Sequence, residues 1–350
     1  MDITCKPGDV VDVHTHFFPA DLPDMASKTG DHRWPSLVVD EGGQARIMRG
    51  NEVFRPVSKT CWDARSRLEE MDASGVGVQV LSPVPVQLTT WADSPAAIAF
   101  ARAQNDALAT AASVAPNRFL WMGTVPLQDT DAAIAEMERA RALGMSGIEI
   151  GTEVHGRELD DPSLRPFFAA AGELGVALFV HPTDNTGAIR RKSQPYEFGL
   201  GMLTDTAMAA GALVFGGVLE DCPGLRVGLA HGCGSLAWAF PRMARGATMG
   251  STPEEFDRRM TRASELLKLL WADTLVFDPQ HLALLASRFG VDHLFLGSDF
   301  PFYPPQWGQP SAVIDHAVAL GGCSPDEAAA IKGTNGLRFL GIDPTSAPVG

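Results

Sequence analysis

Eight short, almost uninterrupted apolar runs punctuate this chain, each separated from the next by a longer segment. They are VVDVHTH from Val10, VGVQVLSP from Val76, FLWMGTVP from Phe119, SGIEIGT from Ser146, ALFVHP from Ala177, LRVGLAHGCG from Leu225, TLVF from Thr274 and HLFLGSDFPF from His293. Near-continuous hydrophobicity, as opposed to alternation, marks strands whose sheet is covered on both faces, and that condition belongs to parallel sheets. The segments between them have helical spacing, as in Asp63 to Ser74, Pro95 to Val114, Asp129 to Leu143 and Asp161 to Leu174. Asp161 is placed to cap a helix that Pro162 opens, and Gly75, Gly144 and Gly175 follow helices where the chain turns back into the sheet. Eight strand-helix units are what a closed barrel requires. The sequence therefore predicts an α/β fold, a single (β/α)8 TIM-type barrel over residues 1–350.

Phe17 to Lys59 interrupts this rhythm, being polar, rich in Gly and Pro, and carrying a hairpin signal around SLVVDEGGQARIMRG. It reads as an insertion of about 17–59 after the first strand. Since it leaves the C-terminal end of a barrel strand, it is expected at the active-site mouth. The Thr345 to Gly350 tail is expected to be mobile.

A net charge of −14 and a pI near 5.0 set up a field that repels nucleic acid and anionic lipid, so neither is expected as a partner. The start, MDITCKPGDVVDVHTH, has no basic stretch leading into an apolar run. The longest uncharged apolar stretch, Thr206 to Leu219, is shorter than the roughly 20 residues a bilayer demands and reads as a buried helix. A cytoplasmic location is expected. Cys5, Cys61, Cys222, Cys233 and Cys323 form no CxxC pair, so any metal must rest on His and carboxylate.

His14 and His16 are one residue apart on an apolar strand, which puts both imidazoles on one face. Such a pair is a weak signal by itself. His181 ends the fifth run, His231 the sixth and Asp299 the eighth, although Ser298 or Asp299 could equally cap a helix. Titratable residues at the C-terminal ends of four barrel strands converge on one mouth, where barrel enzymes place their chemistry. Three histidines and a carboxylate suit one divalent ion such as Zn²⁺, with Mn²⁺, Fe²⁺ and Co²⁺ also compatible. His14, His16, His181 and Asp299 make the better ligand set, because the Gly-rich turn after His231 could aim that ring at substrate as general acid or base. No lysine ends a strand to bridge two ions, while Glu149, inside GIEIGT, reads as a supporting carboxylate. Cys233 reads as a small packing residue.

The segments DVHTHFFP, NEVFRPV with the following WDARSRLEEMDASGVGVQV, VPLQD, GIEIG, ELDDPSL, VHP, AHGCGS and GSDFPF cover nearly the whole length. Together they resemble the amidohydrolase-2 family of metal-dependent decarboxylases. The resemblance implies non-oxidative loss of CO2 from an unsaturated or aromatic carboxylate of aromatic catabolism, on one divalent ion and without an organic cofactor. It implies that His231 activates water on that ion, that Asp299 takes part in catalysis, and that Arg55 binds the substrate carboxylate. It further implies a homodimer in which Arg242 reaches across the interface. Two segments depart from the pattern. Glu149 stands where close relatives carry an uncharged amide, and HPTDNTGAIRRKSQ lacks an aromatic residue after HP and is more basic, bringing in Arg190 and Arg191. The competing reading is a hydrolase or hydratase acting on a lactone, amide or unsaturated acid. A barrel that only binds a ligand is the remaining alternative.

Overall fold

A computed structural model describes residues 9–183, 189–302 and 309–344. β1 (Val10–Phe17) opens the barrel, and the insertion that follows holds a sheet of β2 (Pro35–Val39), β3 (Ala45–Arg49) and β4 (Glu52–Val57). β5 (Val76–Pro83), β6 (Phe119–Gly123) and β7 (Gly147–Ile150) return to the barrel, and a small hairpin of β8 (Glu153–Val154) and β9 (Arg157–Glu158) leaves it. β10 (Ala177–Val180), β11 (Arg226–Leu229), β12 (Leu270–Asp273), β13 (Leu294–Phe295) and β14 (Gly297–Phe300) complete it.

All barrel pairings are parallel. β13 and β14 are two halves of one barrel position, interrupted at Leu296. The first half pairs with β12 and the second with β1, and this division closes the ring. The expected barrel is thus observed, with one correction. The seventh strand is Leu270–Asp273, not the TLVF run from Thr274, and Asp273 is its last residue.

Sequence-encoded caps fix several helix starts. Asp63, Asp129 and Asp161 accept hydrogen bonds from the backbone N–H groups of Ser66, Ala132 and Ser163. Gly75, Gly144 and Gly175 have φ of 73°, 93° and 66°, a region that opposes a Cβ, so each ends its helix without strain. Phe167, Phe168, Leu213 and Leu266 from the helices pack with Leu178, Val180, Val227 and Leu229 from the strands in the main apolar core. At the opposite pole, Phe339 of the last helix (Thr334–Phe339) stacks on Phe295 at 4.8 Å and accepts a hydrogen bond from Arg226 at its carbonyl. That segment covers the starts of the strands and leaves their C-terminal ends as the open mouth.

The stretch expected as one buried helix from Thr206 to Leu219 is divided. A helix runs from Met202 to Phe215, the chain turns at Gly216 and Gly217, and a short helix covers Val218–Asp221. By length and composition the helical run Gln194–Phe215 could cross a membrane. Its Ala209, Ala210, Leu213 and Val214 are instead buried in the barrel's core. The hairpin expected in the insertion is β2 with β3, and β4 extends it. Ile47 of this sheet packs with Phe18, Cys61 and Val84, which fastens the insertion to the mouth. The tail from Thr345 lies outside the described residues.

Candidate metal centre

β1 carries Asp12, His14 and His16 on one buried face, as the two-residue period of a strand requires. The two rings meet edge-on, with their Nε2 atoms 3.2 Å apart. His181 directly follows β10, and its ring centroid lies 5.0 Å from that of His14 and 4.9 Å from that of His16. Asp299 sits in β14 and caps no helix among the described residues. Its φ of 59°, uncommon for a residue with a Cβ, turns the carboxylate inward, 3.0 Å from His16 Nε2 and 3.6 Å from His14 Nε2. One ligand atom from each of these four residues lies within 4.8 Å of all the others.

The second nitrogen of each ring decides whether this cluster can take a cation. His14 Nδ1 donates to Asp273 Oδ2 at 2.6 Å, His16 Nδ1 to the Pro83 carbonyl at 2.8 Å and His181 Nδ1 to the Pro182 carbonyl at 2.7 Å. With Nδ1 committed to these acceptors, each ring would turn its Nε2 to a bound ion, the position a metal takes once that nitrogen carries no proton. His181 Nε2 is buried and has no hydrogen-bond partner among the described residues. Converging lone pairs, a carboxylate and an orphaned buried nitrogen together fit a divalent ion of borderline softness. Burial alone would pull His14 down, but the Asp273 hydrogen bond and the surrounding carboxylates push it up to about 9. Burial would raise Asp299, yet the His16 hydrogen bond and the neighbouring imidazoles hold it down at about 2. The carboxylates of Asp273 and Asp299 thus favour positive charge on His14, while burial and the neighbouring imidazoles push His181 well below its ordinary value.

Asp273 organises this centre, and sequence reasoning missed it. Besides His14, its carboxylate accepts from the backbone N–H of His231 at 2.9 Å, Gly232 at 2.7 Å and Leu275 at 3.0 Å. One side chain thereby orients a candidate ligand and pins the turn in which His231 and Gly232 adopt φ of 55° and 59°. Burial works against its ionisation, but the His14 hydrogen bond keeps its carboxyl below the ordinary range. Gly297 is part of the same arrangement, since a Cβ there would lie 2.7 Å from His14 Cβ and 2.8 Å from Asp273 Cβ. The signal was available: LWAD is an apolar run that leads into a titratable residue, as the runs carrying His16, His181 and His231 do.

His231 stands beside the cluster, 4.9 Å from His181 and 5.3 Å from His14 between ring centroids. Burial, reinforced by the charge on His14, pulls it down to about 4, so the ring is a neutral base at pH 7. Its Nδ1 has no hydrogen-bond partner among the described residues. Cys233 is buried, and burial raises its thiol well above the usual range, so it is not a ready nucleophile. Glu149 is fully buried with Oε2 3.9 Å from His16 Nδ1, on the opposite side of that ring from the Nε2 cluster. Burial raises its carboxyl too.

Above the cluster opens a cavity of about 650 Å³ with His16, His181, His231 and Asp299 at its base. Phe54, Val86, Phe198 and Phe302 supply apolar walls, and Arg55 of β4 reaches in with its guanidinium carbon 4.5 Å from the centre of the Phe302 ring. The insertion thus delivers Arg55 to the mouth, as its place in the sequence predicted. Arg242 is elsewhere: it is exposed on the helix Leu236–Ala247 and does not line this cavity. Arg190 and Arg191 are likewise exposed, and residues 184–188 of their loop lie outside the described residues.

Comparison with known proteins agrees with this fold. The 2-amino-3-carboxymuconate-6-semialdehyde decarboxylase of Dictyostelium discoideum is 34% identical over 336 residues, 95% of this chain and 92% of its own. The enzyme of that name from Caenorhabditis elegans is 29% identical over 345 residues, 83% of this chain and 85% of its own. Among solved structures, an IDCase of Metarhizium anisopliae in apo form superposes with a TM-score of 0.79 at 23% identity, covering 95% of this chain and 97% of that one, a likeness of fold. The amidohydrolase family model matches residues 11–342, from the first barrel strand to the helix that closes the last, and this chain therefore belongs to the amidohydrolase family.

Proposed function

We propose that this chain is a metal-dependent carboxy-lyase that removes CO2 without oxidation from an unsaturated or aromatic carboxylate. The observation that carries this reading is the convergence of His14, His16, His181 and Asp299 beneath a cavity whose wall presents one guanidinium, Arg55. The decarboxylases among its relatives support the reaction class and point to 2-amino-3-carboxymuconate-6-semialdehyde, or a related acid of aromatic catabolism, as substrate. Residues 1–350 are read as one catalytic barrel that needs no organic cofactor. The ion is proposed to be Zn²⁺, with Mn²⁺, Fe²⁺ and Co²⁺ as the other fits to this donor set. The protein is proposed to act in the cytoplasm as a homodimer in which Arg242, which does not line its own chain's cavity, serves a neighbouring subunit's, the role that the family resemblance implies for it.

When bound, the divalent ion supplies Lewis acidity at the base of the cavity. Arg55 pairs with the substrate carboxylate through two parallel hydrogen bonds, the fork geometry that a guanidinium provides. Phe54 and Phe302 exclude water from one side of the conjugated chain or ring. Neutral His231 accepts a proton from water and passes it to the carbon bearing the carboxylate, and the hydroxide left behind takes up a proton from solvent. The bond to the carboxylate carbon then breaks, its electron pair restores the conjugated system, and CO2 leaves, so that hydrogen replaces the carboxylate. Asp299 holds negative charge beside the imidazoles throughout.

The experiment is to mix metal-quantified protein with freshly formed 2-amino-3-carboxymuconate-6-semialdehyde and follow CO2 together with the ultraviolet spectrum. CO2 release that disappears in His231→Ala is the expected result. Ring opening or hydration of a lactone or unsaturated acid, with no CO2 from any related carboxylate, would replace this reading with that of a hydrolase or hydratase.

A further inference from the structure

Arg67 lies in the helix Ala64–Ser74 and is fully buried, in line with Ala64 and Met71 on the inward face. Its Nε donates to the Thr60 carbonyl at 2.8 Å, its Nη1 to Thr15 Oγ1 at 3.1 Å and its Nη2 to the carbonyl of His16 itself. All three acceptors are uncharged, an expensive setting for a buried cation if filling space were all that was needed. The guanidinium carbon lies 5.3 Å from the centre of the Phe17 ring and 4.9 Å from that of Phe300. Phe17 follows His16 in the chain and Phe300 follows Asp299. One planar group therefore grips two strand ends that each carry a candidate ligand.

The strands do not fix these ends unaided. The β1 pairing with β14 changes register between His14 and Thr15, and the pairing with β5 changes register between Asp12 and Thr15. The ladder is irregular at the motif, where side chains take over: Ser82 donates to the Thr15 carbonyl on one side and Arg67 to the His16 carbonyl on the other. We propose that Arg67 is a positioning residue of the metal centre, clamping the ends of β1 and β14 so that His16 and Asp299 keep the spacing an ion needs. This inference rests on the metal-dependent reading above. A lysine could not substitute, having neither a planar face for two rings nor a fork that reaches three acceptors.

Arg118 provides the control. It too donates to strand carbonyls, those of Gly77 and Val76, but at the closed end of the barrel, and it pairs with Asp72. The test compares wild type, Arg67→Lys, Phe300→Leu and Arg118→Lys by zinc dissociation constant, from chelator competition, and by the thermal midpoint of the metal-free protein. Arg67→Lys should weaken zinc binding by about ten- to a hundredfold, the range for partners that orient ligands. Phe300→Leu, which keeps every hydrogen bond of Arg67, should weaken it by a smaller factor, and Arg118→Lys should leave it unchanged. Wild-type affinity in a folded Arg67→Lys, or equal weakening in Arg118→Lys, would overturn the proposal. Should Arg67→Lys not fold, unchanged affinity in Phe300→Leu overturns it. A wild type that retains no divalent ion removes the metal reading itself, a result separate from all of these.

Discussion

The two ends of the barrel solve opposite problems with the same strands. At the closed end, Phe295, Phe339 and Leu340 are buried among apolar neighbours, and Arg226 and Arg118 hold backbone carbonyls while staying in partial contact with water. At the mouth, His14, His16, Asp273 and Arg67 are buried as polar or charged groups, and they are tolerated because each is hydrogen-bonded or faces the cluster. Stability is concentrated where surface is apolar, and function where buried polar groups converge. Strain follows the same division: His231, Cys233 and Asp299, three of the non-glycine residues with positive φ, all lie at the mouth.

This contrast can be broken by mutation, and the largest effect is expected at His231. Replacement by Ala should lower turnover by about a hundred- to ten-thousandfold, the usual contribution of a positioned acid or base, while bound metal stays at the wild-type level. Assays of CO2 release alongside metal analysis decide it. Normal turnover in a metal-loaded variant would remove His231 from the chemistry.

Next comes the closed end. Phe339→Ala should cost about 3–5 kcal/mol in denaturant unfolding, as truncation of a buried aromatic does, with zinc affinity of the folded fraction unchanged. A change in affinity there would mean the two ends are coupled.

Asp273→Asn should weaken zinc binding by about ten- to a hundredfold. The amide keeps the shape, but it removes the negative charge that His14 Nδ1 and three backbone N–H groups share. Chelator competition reads the effect, and undiminished affinity would deny Asp273 its organising part. The smallest effect is predicted for Arg55→Lys, which keeps the charge and loses the fork. KM should rise by about tenfold at nearly constant kcat. A fall in kcat with KM unchanged would instead place Arg55 in the transition state alone.

Much of this molecule was legible in the chain. The strand positions, the caps at Asp63, Asp129 and Asp161, the glycine turns and the convergence of His14, His16, His181 and Asp299 all follow from local pattern combined with the closure rule of a barrel. Asp273 escaped because the seventh strand was placed four residues late, at Thr274 in place of Leu270. A shift of that size moves a strand-end carboxylate into what looks like a preceding loop. Arg67 escaped for another reason: arginine on a helix is usually solvated, and nothing local announces burial.

By itself the sequence determined the periodicities, and with them the barrel and the strand-end residues that face its mouth, because those depend on neighbours a few residues apart. Tertiary structure alone decided that Asp273 meets His14 across 259 positions of chain and that Arg67 meets Thr15 across 52. It also decided that Arg242 lies outside its own chain's cavity. The physical reason is that a hydrogen bond is set by distances of about 3 Å, which only closure of the ring brings about between segments so far apart.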